Sequence, residues 1–84
     1  MADILYFARL AEALGTKSEQ VDLSAECKTV ADLVALLRER GEPFDSTFDG
    51  TTQVLVAINQ EMSEPSATIS NIDEIAFFPP VTGG

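Results

Sequence analysis

The stretch that decides the fold runs Asp73-Glu74-Ile75-Ala76-Phe77-Phe78-Pro79-Pro80-Val81-Thr82-Gly83-Gly84. Its first six residues predict a β-strand, because an apolar run follows two carboxylates and is closed by prolines. Pro79 and Pro80 have no amide hydrogen for a sheet ladder and favour an extended backbone, so the sheet should end at Phe78. Residues 79–84 are then expected to project as an arm, about 20 Å long when fully extended.

The arm ends in Gly83 and Gly84, which carry no side chains. Glycine adopts backbone angles that are closed to other residues and brings no Cβ into a narrow cleft, so a carboxylate on Gly84 can enter an enzyme active site. A frayed chain end is the alternative explanation of two glycines. The apolar strand directly before the arm favours the first interpretation, in which the Gly84 carboxylate is the chemically active group.

One helix is predicted to begin after Thr29. Thr29 is a suitable N-cap, and Asp32 stands three residues later, where it completes a capping box. The apolar residues that follow recur at helical spacing and are Val30, Leu33, Val34 and Leu37. Arg38 and Arg40 are expected in the last turn, where they complement the helix dipole, and Gly41 is expected to end the helix.

The other segments predict strands and two shorter helical turns. We expect strands over residues 3–9, 17–23, 53–58, 61–62 and 73–78, helical turns over 10–14 and 44–48, and a tight turn at Asn59-Gln60. The order β-β-α-β-β-β predicts an α+β fold, a ubiquitin-like β-grasp in which a mixed sheet of about five strands carries one main helix across one face. The domain should span residues 1–78, with 79–84 as an extended tail.

A single helix covers only one face of such a sheet, which leaves the second face open. Alternation along the strands places apolar residues on that face, namely Leu5, Phe7, Leu55, Ala76 and Phe78. An open apolar face on a natural protein is typical of a docking surface. We therefore expect a protein partner there.

The charge of the chain is strongly one-sided. Fourteen acidic residues stand against five basic ones, a formal net charge of −9, and no Lys or Arg occurs after Arg40. This distribution disfavours nucleic acid and anionic membranes as partners and favours a basic protein, although a generic acidic surface has the same composition. The longest apolar run, Val54 to Ile58, is too short to span a membrane, and no signal peptide is apparent, so a cytoplasmic protein is expected.

Composition also excludes several kinds of active site. The chain has no His, so Ser-His and Cys-His catalysis and His-based zinc sites are excluded, and we predict neither a metal site nor a bound cofactor. The single Cys27 is a packing residue or, alternatively, a sulfur-handling thiol. A carboxylate such as that of Gly84 reacts only after activation, for example by ATP on a second protein. The chain is therefore expected to be a substrate and carrier rather than a self-sufficient enzyme.

Five segments of the chain are similar to one known family. They are Tyr6-Phe7-Ala8, the turn at Gly15, the helix start at Thr29, residues 56–60 and, above all, residues 73–84. In these segments the chain resembles the small subunit of molybdopterin synthase (MoaD), a ubiquitin-like sulfur carrier. The similarity covers essentially the whole length, and its last twelve residues are the specific part.

The resemblance implies a mechanism and a set of partners. A ubiquitin-activating-type adenylyltransferase would use ATP to adenylate the Gly84 carboxylate, and a persulfide donor would convert it to a thiocarboxylate. The arm would then enter the large synthase subunit, within a heterotetramer of two small and two large subunits, and sulfur would pass to cyclic pyranopterin monophosphate. By position, the family's docking patch corresponds to Phe7, Met62 and Phe78. Its partner-binding tail corresponds to Pro79, Pro80, Val81, Thr82 and Gly83.

Two positions depart from the family pattern. Ala11-Glu12 stands where the family often has Arg-Glu, and Arg9 lies two residues earlier, so a salt contact between that arginine and the partner is not carried over. Asn71-Ile72 stands where the family has Asp-Gly before the last strand. Because isoleucine resists the left-handed conformation, Asn71 is expected to supply the turn instead.

Three other interpretations stay open from the sequence. The chain could be the sulfur carrier of another pathway, such as thiamine synthesis, although Phe-Phe-Pro-Pro-Val is unlike the usual tail of those carriers. It could be a protein modifier that is attached through Gly84 to lysines, as ubiquitin is. It could also be a binding module whose sheet docks a partner without chemistry at Gly84.

Overall fold

The computed structural model describes residues 1–80, which form one mixed sheet and three helices. In chain order the elements are β1 (Ala2–Tyr6), α1 (Arg9–Leu14), β2 (Ser18–Val21), α2 (Val30–Arg38), α3 (Phe44–Phe48), β3 (Leu55–Ile58), β4 (Glu61–Ser63) and β5 (Glu74–Phe78). Among these residues, none of the helices is long and apolar enough to cross a membrane.

The five strands are ordered β2-β1-β5-β3-β4 across the sheet. The central pair, β1 and β5, is parallel, and the other three pairs are antiparallel. The first and last strands of the domain therefore lie side by side, and their C-terminal ends point in the same direction. The predicted β-grasp with one main helix is confirmed.

The core lies between one face of the sheet and the helices. Alternate residues of the central strands are buried there, and they are Ile4, Tyr6, Ile75 and Phe77, joined by Val56 of β3. From α2, Leu33 and Leu37 are fully buried against them. The Tyr6 ring stacks on the Phe77 ring with 6.2 Å between centroids, and Phe48 of α3 meets Phe77 edge-on at 5.1 Å.

The start of α2 agrees with its sequence, but its end does not. The Thr29 hydroxyl accepts a hydrogen bond from the amide of Asp32, and the Asp32 carboxylate accepts from the amide of Thr29, which is the predicted capping box. The helix ends at Arg38, however, and Arg40 lies beyond it. The amides of Arg40 and Gly41 donate to carbonyls three residues back, a tightened geometry in which helices often end.

Several strands are shorter than their apolar runs predict. β1 ends at Tyr6 rather than at residue 9, because the chain turns at Ala8, whose φ is 54°. β2 covers only residues 18–21 of the predicted 17–23, and β3 begins at Leu55 rather than at Gln53. The tight turn between β3 and β4 is confirmed, with positive φ at both Asn59 and Gln60.

The turn before β5 is built differently from the expectation. Residues with positive φ within the described part of the chain do not include Asn71 or Ile72, so Asn71 does not supply a left-handed turn. Its side-chain carbonyl accepts a hydrogen bond from the amide of Leu23 at 2.8 Å instead. The turn itself is closed by Asp73, whose carboxylate accepts from the amide of Ser70 and whose own amide donates to the Ser70 carbonyl.

Candidate functional site

The second face of the sheet carries apolar residues in two rows, because the strand register places residues of neighbouring strands side by side. One row contains Leu5, Ala76, Ala57 and Met62, which are successive partners from β1 to β4. The next row, toward the end of β5, contains Phe7, Phe78 and Leu55. We call these seven residues the open-face patch.

The open-face patch is accessible in the isolated chain. Phe7 is 48% exposed and Met62 is 64% exposed, so two large apolar side chains of this face are open to solvent. The other five residues are half-buried. An accessible, contiguous apolar surface of this kind is typical of a site that binds another protein.

The structure places on one face of the sheet the three residues that the family resemblance selected as a docking patch. Phe7 follows β1 directly and stands in the same row as Phe78 of the adjacent parallel strand β5, since the Phe7 amide donates to the Phe77 carbonyl at 3.1 Å. Met62 stands in the neighbouring row, on the edge strand β4. Their part in binding a partner stays a prediction.

Adjacent residues of β5 separate cleanly into core and open face. Phe77 is 1% exposed and belongs to the core, whereas Phe78 is half-buried on the opposite face and pairs with Leu55. Ala57 lies between Ala76 and Met62 in its row and was not among the residues predicted for this face. The alternation of the strand would have predicted this position, because Ala57 is two residues from Leu55 and therefore faces the same side of the sheet.

A polar row borders the open-face patch at the end far from Phe78. Asp3 and Glu74 are partners in the β1–β5 register, which places two carboxylates beside each other on this face. Gln20 donates to the Asp3 carboxylate at 3.0 Å, and the Asn59 side-chain carbonyl accepts from the Glu74 amide at 3.0 Å. The face therefore combines an apolar centre with an acidic border, which matches a partner with an apolar patch and a basic border.

The predicted tail begins where β5 ends. Phe78 is the last residue of β5, and Pro79 and Pro80 lie outside the strands and are half-buried. The predicted tail residues Val81, Thr82 and Gly83 and the predicted reactive Gly84 lie outside the described residues. The last described residues, Pro79 and Pro80, thus follow the end of β5 that lies beside Phe7.

A hydrogen-bonded network joins Tyr6 of the core to Glu19 and Arg40. The buried Tyr6 hydroxyl donates to Glu19 at 2.9 Å, and the Arg40 guanidinium makes two contacts of 2.8 and 2.9 Å with the same carboxylate. Burial and this hydrogen bond raise the pKa of Tyr6 above its ordinary value. Burial opposes ionisation of Glu19, but the hydrogen bonds from Arg40 and Tyr6 outweigh it and lower the pKa of that carboxyl.

Cys27 is placed as a core residue. Its side chain is 8% exposed and belongs to the buried cluster. Burial raises the pKa of the Cys27 thiol, and the nearby Asp32 carboxylate adds to the effect. A thiol with a raised pKa holds little of the reactive thiolate at neutral pH, so the packing interpretation is favoured over a sulfur-handling one.

The described residues offer little other chemistry. Within residues 1–80, no group of three or more His, Cys, Asp or Glu side chains is arranged to hold a metal ion. The absence of a bound metal or cofactor stays a prediction.

Comparison with known proteins identifies the family of this chain. The model of the ThiS family matches residues 4–84, nearly the whole chain.

The chain belongs to the ThiS family.

Relatives of this ThiS-family chain have similar length and related names. The molybdopterin synthase sulfur carrier subunit of Haemophilus influenzae is 34% identical over 84 residues, which is all of both chains. The subunit of the same name from Escherichia coli is 32% identical over 84 residues, which is again all of both chains. The resemblance to the molybdopterin synthase small subunit is thereby confirmed.

Solved structures agree with the fold. The crystal structure of SAMP1 from Haloferax volcanii superposes with a TM-score of 0.78 at 31% identity, covering 99% of this ThiS-family chain and 98% of that one.

Proposed function

We propose that this chain is the sulfur carrier subunit of a molybdopterin synthase and that it carries sulfur as a thiocarboxylate on Gly84. The observation that supports this most strongly is the full-length identity of 34% to the Haemophilus influenzae protein of that name. An accessible apolar face that includes Phe78, the last residue of β5, supports the proposal, because the predicted tail follows Phe78 in the sequence. A partner bound to that face would receive the tail.

The proposed chemistry has two activation steps, both on other proteins. The Gly84 carboxylate attacks the α-phosphorus of ATP on an adenylyltransferase of the ubiquitin-activating type, and pyrophosphate leaves. The terminal sulfur of a persulfide then displaces AMP from the acyl-adenylate and forms an acyl disulfide with the donor. A second thiol attacks the donor's sulfur, so that a disulfide forms between these two thiols and the thiocarboxylate is released. The cofactor of this reaction is ATP on the partner. The proposal places the chain in the cytoplasm, where ATP is available.

The large synthase subunit is the proposed partner of the open-face patch. A solved structure of the fold comes from a complex of subunits 1 and 2 of molybdopterin-converting factor from Helicobacter pylori, at 18% identity and a TM-score of 0.64. We propose a corresponding assembly of two small and two large subunits here, in which the tail delivers sulfur to cyclic pyranopterin monophosphate. Docking would cover the exposed Phe7 and Met62 side chains.

The decisive experiment is mass analysis after incubation with ATP, an activating enzyme and a persulfide sulfur donor. The expected product has one oxygen replaced by sulfur. Because Arg40 is the last basic residue, trypsin releases residues 41–84 as one peptide, whereas Cys27 falls in the peptide 18–28. Replacement of oxygen in the first peptide supports the proposal, and added sulfur in the second places it on Cys27 and contradicts it.

The matched control is the same chain without Gly84, which keeps the domain and the open-face patch. It should gain no sulfur but should still bind the large subunit. Synthesis of molybdopterin from cyclic pyranopterin monophosphate by the wild-type chain and the large subunit then separates this pathway from thiamine synthesis. A truncated chain that still supports this synthesis would refute the mechanism.

A second candidate function is protein modification, which is supported by the 31% identity to SAMP1. Solved relatives of that name include small archaeal modifier protein 1 from Methanosarcina acetivorans. In this case a lysine amine would attack the acyl-adenylate of Gly84 and AMP would leave, so that target lysines would carry the C-terminal residues of this chain in an isopeptide bond. The presence of such adducts, with no thiocarboxylate-dependent synthesis of molybdopterin, would favour the modifier.

A further inference from the structure

The turn between β1 and α1 holds an alanine in a conformation that normally requires glycine. Ala8 has φ 54° and ψ −133°, and the Leu10 amide donates to the Phe7 carbonyl at 3.1 Å. These values describe a type II′ turn over residues 7–10 with Ala8 at its second position, where glycine is preferred. An L-residue with a Cβ is strained there, and such strain persists only where the surroundings enforce it.

Packing does not explain the choice of alanine. Ala8 is exposed, so its methyl group fills no space in the core. Glycine at this position would adopt the same backbone angles without a steric penalty. The strain at Ala8 is therefore a cost to folding with no matching gain inside the domain.

The turn controls the position of one residue of the open-face patch. The Phe7 backbone is held on both sides, because its amide donates to Phe77 of β5 and its carbonyl accepts from Leu10 of α1. Phe7 is 48% exposed and stands at the end of its row, beside Phe78, the last residue of β5. Ala8, with a narrower range of backbone angles than glycine, restricts the movement of this junction.

We propose that Ala8 is a positioning residue, whose strained turn holds the Phe7 ring in the orientation that the large synthase subunit binds. This inference rests on the proposed function. The methyl group of Ala8 keeps the junction rigid before the partner arrives, so that binding need not immobilise it. Compared with a chain that has glycine at this position, the isolated domain is less stable and binds the large subunit more tightly.

The test compares Ala8→Gly with the wild-type chain in two measurements. Glycine relieves the strain, so the thermal midpoint of the isolated chain should rise by about 5 °C. Glycine also loosens the junction, so the affinity for the large subunit, measured by calorimetry, should fall by about three- to tenfold. A merely structural residue would change both properties in the same direction.

Ala13→Gly is the matched control, because Ala13 is exposed on the adjacent helix α1 with ordinary helical geometry. It should lower the thermal midpoint and leave the affinity unchanged. Unchanged affinity of Ala8→Gly, or a lower thermal midpoint, overturns the positioning role. The mass experiment on Gly84 decides the proposed function separately, since thiocarboxylate formation does not depend on this affinity. Failure of the wild-type chain to bind the large subunit overturns both.

Discussion

Alanine substitutions of Phe77 and Phe78, made separately, should damage two different properties of the protein. These neighbours point to opposite faces of β5, so one belongs to the core and the other to the open-face patch. Phe77 is 1% exposed and its ring contacts those of Tyr6 and Phe48. Phe78 is half-buried beside Leu55.

The expected loss of stability differs strongly between the two variants. Removing a buried phenylalanine ring costs about 3–5 kcal/mol, and the loss of two aromatic neighbours places Phe77→Ala in the upper part of that range. A domain of this length has a total free energy of unfolding of about 4–12 kcal/mol. Phe77→Ala should therefore lose a third or more of its stability, whereas Phe78→Ala should lose about 1 kcal/mol because its ring is only partly covered.

The expected loss of affinity has the opposite order. An aromatic side chain near the middle of an interface typically contributes about 2 kcal/mol or more, so Phe78→Ala should weaken binding of the large subunit by about thirtyfold. Urea denaturation followed by circular dichroism measures the stability, and calorimetry on the folded variants measures the affinity. Ile72→Ala is the control, because Ile72 is 92% exposed and lies outside the open-face patch, so both properties should stay unchanged.

Two results would refute this reasoning. If Phe78→Ala binds the large subunit with wild-type affinity, the open-face patch is not the docking surface. If Phe77→Ala keeps its stability, the aromatic cluster does not hold the core together in the way that its ring contacts indicate.

Three further outcomes are expected. Thr29→Ala removes the N-cap of α2 and should lower the free energy of unfolding by about 1 kcal/mol in urea denaturation; no change would mean that the capping box is energetically idle. Tyr6→Phe removes the hydroxyl that donates to Glu19 and should cost about 1 kcal/mol in the same assay, while wild-type stability would contradict the network. The pKa of Glu19 is lower in the folded chain than in the unfolded chain. The ionised Glu19 therefore stabilises the fold above the ordinary glutamate pKa of about 4.3, and this stabilisation is lost as the pH falls through the pKa of the folded chain. The stability difference between wild type and Glu19→Gln should therefore shrink on acidification, and a difference that grows would have the wrong sign.

The candidate site was partly predictable because alternation along a strand is a local property. Every second residue of a strand faces the same side, so Phe7 and Phe78 could be assigned to the open face before the register was known. Met62 was selected only through the family resemblance, because β4 is too short to show alternation. The rows of the patch depend on how the strands pair, which no single segment specifies.

By itself, the sequence determined the features that depend on nearby residues. The order of the elements, the capping box at Thr29 and the end of β5 before Pro79 all follow from local hydrogen-bonding capacity and apolar spacing. The tertiary structure alone decided where α2 and β1 end, because those ends depend on contacts between residues far apart in the chain. Arg40 leaves the helix and binds Glu19, Asn71 binds the backbone of Leu23, and Ala8 is held in a strained turn by the strands and helix that meet there.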